Sequence, residues 1–175
     1  MNMISDKDSV MRKFIQFVVI FFIIGGIYPF VAPTTGYAAS KMPAFDLEDV
    51  MTGESITSKM FKGKSLLVIF FATWCPPCIQ EIPDLIKLQD QYSTNGFSVV
   101  AFSVDQEKKV VQKLVERKEI NYPVMMADDA VTRDFGGVYG IPTSFLISKS
   151  GTVLKKYSGY VPRSVLVKDL EQIIN

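Results

Sequence analysis

A chain of 175 residues has room for one ordinary domain, and for two only if both are very small. With 19 Lys and Arg against 18 Asp and Glu, the totals show no strong pull toward nucleic acid or an anionic surface. There is no histidine and there are only two cysteines, which excludes a structural zinc site built from Cys and His ligands and also covalent haem attachment, where His must follow the second cysteine.

The chain opens with a basic pair, Arg12-Lys13, followed by an apolar run from Phe14 to Ile27 and then small residues from Gly36 to Ser40. That order is the pattern of a secretory signal or signal anchor. The basic flank is expected to stay inside, which places everything after residue 40 on the outer face of the membrane. The run is shorter than the ~20 apolar residues of a comfortable span, so release after cleavage and retention as an anchor both stay open. Residues 1–40 therefore read as a targeting segment with a linker that meets the membrane, and residues 41–175 as one domain without internal repeats.

Phe45–Asp49 and Ser55–Thr57 flank Thr52-Gly53 and predict a hairpin. Ser65–Phe71 is a continuous apolar run, as expected of a strand buried on both faces. A helix follows from Cys75 to about Tyr92, with Ile79, Ile82, Leu85, Ile86 and Leu88 at helical spacing and Pro83 expected to kink it. Phe97–Val104 reads as a second buried strand and Glu107–Lys118 as a charged amphipathic helix, with Asp105 expected to cap it. Tyr122–Met126 predicts a short strand and Val131–Phe135 a short helix. Thr143–Ile147 and Thr152–Tyr157 then flank the turn residues Lys149-Ser150-Gly151, and Pro162–Ile174 closes as a helix. Alternating strands and helices followed by a hairpin and a helix predict an α/β fold, a mixed sheet covered on both faces. Lys108-Lys109 and Lys155-Lys156 read as solvated surface.

The chemistry is concentrated in Phe71-Ala-Thr-Trp-Cys-Pro-Pro-Cys78. A disulfide that closes so short a loop constrains the unfolded chain very little, so stability is a poor explanation for the pair. Two cysteines separated by two residues, between a buried strand and a helix start, are a redox arrangement. Cys75 falls at the helix N-terminus, where unpaired N–H groups and the dipole favour a negative sulfur, and the thiolate is the attacking species. Cys78, one turn inside, is placed to resolve a mixed disulfide. The prolines between them occupy the first turn, where a missing N–H costs little.

These residues, together with Glu81-Ile82-Pro83, Tyr139-Gly140-Ile141-Pro142-Thr143 and Gly159, resemble the thioredoxin superfamily, and within it the TlpA/ResA-like membrane-tethered thiol–disulfide oxidoreductases. The resemblance covers residues 41–175. It implies a thioredoxin fold with an N-terminal hairpin and a central strand–helix insertion, and dithiol chemistry that needs no cofactor. It also implies a cis Ile141-Pro142 bond facing the cysteines, with Trp74 on one side and Ile141 and Thr143 on the other as an apolar collar for the partner. Where cytosolic thioredoxins carry a buried Asp and its Lys partner, this chain has Ile69 and Ala101. Glu81 matches the active-site glutamate of the ResA-like group and is expected to serve the dithiol with a raised pKa.

Two prolines between the cysteines give neither N–H groups nor charge to steady a thiolate, which points to a reducing couple. The resemblance implies the same direction, toward disulfide-bearing exported proteins such as apocytochrome c, with a membrane thiol donor of the CcdA/DsbD type. Alternatives that stay open are a disulfide-forming oxidase, a peroxiredoxin-like peroxidase (although Ala72 stands where the peroxidatic motif has Thr) and a non-catalytic binding module.

Overall fold

The computed structural model describes residues 40–174. The basic pair, the apolar run 14–27 and the small residues up to 39 lie outside this range. Among the described residues no helix is long and apolar enough to cross a membrane.

Strands β1 (Asp46–Glu48) and β2 (Ser55–Thr57) form the expected hairpin, shorter at its first strand than the sequence suggests. Asp49 closes the turn by accepting from the N–H groups of Met51 and Thr52. A 3-10 turn, Ser58–Phe61, leads to β3 (Ser65–Phe71), all seven residues of which are buried. Helix α1 (Pro76–Tyr92) runs on through Pro83, and a 3-10 turn links it to β4 (Phe97–Ser103). Then come α2 (Lys108–Lys118), β5 (Val124–Met126), α3 (Asp129–Asp134), the hairpin β6 (Thr143–Ile147) and β7 (Val153–Ser158), and α4 (Arg163–Ile174). α2, β5 and α3 lie between β4 and the β6–β7 hairpin.

The main sheet has the order β5-β4-β3-β6-β7; β3, β4 and β5 are parallel and β6 and β7 antiparallel. Alternation along β3 divides the core. Leu67, Ile69 and Phe71 face α1, α2 and α4 through residues such as Ile82, Leu85, Leu114, Leu166 and Leu170. Leu66, Val68 and Phe70 face the other side, against Phe45, Phe61, Val131 and Phe135. That second layer is held by aromatic contacts, among them Phe45–Phe102 at 5.1 Å and Phe135–Phe145 at 5.2 Å between centroids. Parallel β3 and β4 thus point their C-terminal ends at one edge of the molecule, where ligands meet open α/β sheets and where the cysteines lie.

Candidate active site

Cys75 is the N-cap of α1, with extended backbone angles, and its Sγ accepts from the Cys78 N–H at 3.3 Å. Pro76 and Pro77 are the first two helical residues. The two cysteines are joined as a disulfide, Cα to Cα 5.3 Å, and both are almost wholly buried. The core beside them is apolar: Ile69 pairs directly with Ala101 across β3 and β4, so no charged pair lies there.

Thr73, two residues before Cys75, is fixed from the end of β4. Asp105 Oδ2 accepts from the Thr73 N–H at 2.9 Å and Oδ1 from the Thr73 hydroxyl at 2.7 Å. Ser103 Oγ also donates to Oδ2, at 2.7 Å. Asp105 is therefore not the cap of α2; the capping position belongs to Glu107, whose side chain makes no capping bond. A carboxylate buried at 9 % exposure finds its donors in the turn that carries Trp74 and Cys75.

Glu81, one turn into α1 from Cys78, has no exposed surface. Its Oε1 accepts from the Val161 N–H at 3.4 Å, and Oε2 has no hydrogen-bond partner. Burial pushes its pKa up to about 7; the Val161 N–H partly offsets this and the nearby Asp84 charge adds to it. Tyr122 lies in the same core cluster as the cysteines, and burial, then the Glu81 charge, holds its hydroxyl well above the ordinary value.

Beside Trp74 opens a cleft of about 390 Å³, bounded by Val104, Val138, Tyr139, Gly140 and Ile141, with Asp128, Asp129 and Thr132 on its rim. Trp74 is 67 % exposed and Tyr139 97 %, so two aromatic rings stand open to solvent here. Ile141 is half-buried, and the Ile141-Pro142 bond is cis, as the resemblance implies. Pro142 is buried, with its carbonyl accepting from Gly159 N–H at 2.8 Å. Thr143 is also buried and turns its hydroxyl to the Gly140 carbonyl at 2.6 Å, bracing the loop rather than lining the cleft. Trp74 and Ile141 are thus brought to one cleft, while Cys75, Cys78 and Glu81 share the N-terminal end of α1 and do not line it. Asp105, Val161 and Tyr122 were not singled out for the site in the sequence. Asp105 offered one signal, a carboxylate just past a buried strand.

The Redoxin family model matches residues 37–174. The chain belongs to the Redoxin family. Among its Redoxin relatives, the thiol-disulfide oxidoreductase ResA of Geobacillus kaustophilus is 31 % identical over 171 residues, spanning 97 % of this chain and 98 % of that one. ResA of Halalkalibacterium halodurans is 30 % identical over 136 residues, 78 % of this chain and 77 % of that one. The crystal structure of a thiol:disulfide interchange protein of the thioredoxin family from Chlorobium tepidum superposes with a TM-score of 0.74 at 35 % identity, covering 78 % of this chain and 97 % of that one. The fold is the thioredoxin fold, the affinity is with ResA-like proteins, and this Redoxin protein is a thiol–disulfide oxidoreductase acting by dithiol–disulfide exchange.

Proposed function

We propose that the enzyme works on the outer face of the cell membrane or in the periplasm as a reductase of disulfides in exported proteins, with apocytochrome c cysteines as the favoured substrate class. The Cys75 thiolate attacks a substrate disulfide, forming a mixed disulfide and releasing one substrate thiolate. Cys78 gives up its proton to Glu81 and attacks Cys75 Sγ, which frees the second substrate thiol and leaves the Cys75–Cys78 disulfide. A membrane thiol donor of the CcdA/DsbD type returns two electrons and two protons. Trp74, Ile141 and Pro142 bear on the partner chain, and Thr143 braces their loop.

The observation that carries the reducing direction is the scarcity of donors at Cys75 Sγ. The Cys78 N–H reaches it, but Pro76 and Pro77 have no N–H to offer. A poorly stabilised thiolate is easily given up to a disulfide, which is what distinguishes a reductant near about −270 mV from an oxidant near about −120 mV. Equilibration of the purified protein with dithiothreitol and glutathione buffers tests this, and a potential at the oxidising end of that range would make the enzyme a disulfide-forming oxidase. A Cys78→Ala variant, which stalls at the mixed disulfide, identifies the substrate when captured from membranes. A phosphatase fused after residue 40 tests export; activity confined to the cytoplasm would refute the location.

A further inference from the structure

A net charge of +1 conceals a local concentration of lysine. Lys59 lies in the 3-10 turn that leads into β3, Lys62 and Lys64 follow it, and Lys149 lies in the turn after β6. Together they border a cleft of about 270 Å³ whose apolar lining includes Met42, Phe61, Leu66 and Ile147. All four lysines are exposed, no carboxylate lines the cleft, and none of the four is in an ion pair among the described residues. Met60 stands in the same turn with more than half its surface in solvent, and Lys41 adds a fifth cation, its Nζ donating to the Ser150 carbonyl at 2.9 Å.

This face lies at the far end of the sheet from the cysteines. Lys64 immediately precedes β3 and Cys75 follows its other end, and antiparallel pairing of Leu66 with Ile147 brings Lys149 to the Lys64 end. Seven strand residues separate the two by roughly 20 Å. The chain also enters the domain here: Met42 N–H donates to the Gly151 carbonyl and Val153 N–H to the Ser40 carbonyl, both at 2.8 Å. Thirty-nine residues precede Ser40, among them the apolar run 14–27.

We propose that this lysine face, with Met60 exposed in the same turn, docks on an anionic bilayer surface and holds the domain with its cysteine end turned to the aqueous side. The occupant follows from three features found together: lysines that form no ion pair among the described residues (Lys149 donates to the Ile174 carbonyl at 2.7 Å), an exposed Met60 in the same turn, and the point at which an apolar leader joins the domain. Each lysine near such a surface contributes about fivefold in affinity at low salt, and several together are enough to orient a domain already tethered. The inference rests on the reading of residues 1–40 as a membrane segment.

Its test uses the full chain with vesicles of phosphatidylcholine, either alone or mixed with phosphatidylglycerol. Amine acylation, read by mass spectrometry, should slow at Lys59, Lys62, Lys64 and Lys149 by at least about fivefold in the anionic vesicles. Lys87 and Lys113 should react equally in both, and high salt should abolish the difference. A Lys59→Glu, Lys62→Glu variant should lose the protection yet reduce a soluble disulfide at the parental rate. Sedimentation with both vesicle types and identical acylation in each would overturn the docking face while leaving the membrane segment in place. Failure to sediment with either would overturn both, and sedimentation with anionic vesicles alone would support docking without an apolar anchor.

Discussion

Asp105 grips Thr73 with both carboxylate oxygens, one on its N–H and one on its hydroxyl, across 32 positions of sequence. The grip fixes the turn that presents Trp74 to the cleft and Cys75 to the start of α1. Asp105→Ala removes both acceptors and should raise KM for a polypeptide disulfide about tenfold, in line with a lost hydrogen-bonded charge. Asp105→Asn can keep an oxygen on the Thr73 N–H while the Thr73 hydroxyl reverses to accept, so it should stay close to the parent. Insulin-reduction kinetics on the two variants check this. Equal impairment in both would mean that the charge matters and the grip does not.

Glu81 gives a signed pH dependence. Its folded pKa of about 7 lies above the ordinary 4.5, so the folded protein holds the proton more tightly than the unfolded chain. This contribution to stability is fully present below about 4.5 and is gone above about 7, a swing of roughly 3 kcal/mol for a shift of that size. Urea unfolding of the oxidised protein at pH 5 and pH 8 should show the parent losing stability relative to Glu81→Gln across that interval. Parallel curves would place the carboxyl in contact with water.

The same Glu81→Gln change should lower the apparent thiol pKa of the reduced protein and slow resolution of the mixed disulfide. An ionised Glu81 repels a thiolate nearby, and the dithiol and carboxyl titrate as a coupled set. Rapid-quench measurement of mixed-disulfide decay is the readout; an unchanged rate would route the proton elsewhere.

In the reduced protein Cys75 should be alkylated before Cys78. It caps α1, where the Cys78 N–H and the helix dipole act on its sulfur, while Cys78 lies deeper at 1 % exposure against 4 %. Limiting iodoacetamide followed by peptide mapping decides it, and preferential label on Cys78 would reverse the roles of the two thiols.

Gly136 and Gly137 both have positive φ, 84° and 73°, but they differ in surroundings. A Cβ on Gly136 meets open space, whereas one on Gly137 would come within 2.8 Å of the Tyr139 ring. Alanine at either should cost about 1–2 kcal/mol of stability from the left-handed backbone. Only Gly137→Ala should also displace Tyr139 from the cleft and change KM for polypeptide disulfides. Identical kinetics in the two variants would remove Tyr139 from substrate contact.

Long apolar runs and sustained helical spacing made β3, β4, α1 and α4 legible in the sequence, with boundaries displaced by a residue or two. The reactive pair was legible because its spacing, its prolines and its place between a strand and a helix are all local. Asp105 was misread for the converse reason: capping is a rule about neighbours, and its actual partner comes from another loop. The burial of Glu81 was legible only through the resemblance, since by spacing alone a glutamate at that helical position faces either water or core depending on where the Val161 segment returns. The lysine face was invisible in the totals because β6 must fold back along β3 before Lys149 meets Lys64.

Neither border of the main sheet is left as a bare strand. At one border the chain at Asp49 and Val50 bridges β5, through Asp49 opposite Met125 and the Val50 N–H on the Val124 carbonyl. At the other, Ser40 to Met42 cover the start of β7, and the rest of that strand carries Lys155 and Lys156. Unpaired strand borders recruit extended polypeptide indiscriminately, and lysines and covering segments suppress this. An enzyme with the function proposed above, acting on exported cysteine-bearing chains, is exposed to that hazard at every encounter. Where these segments and lysines lie, backbone pairing with a client is disfavoured, which eases its release once the sulfur chemistry is finished.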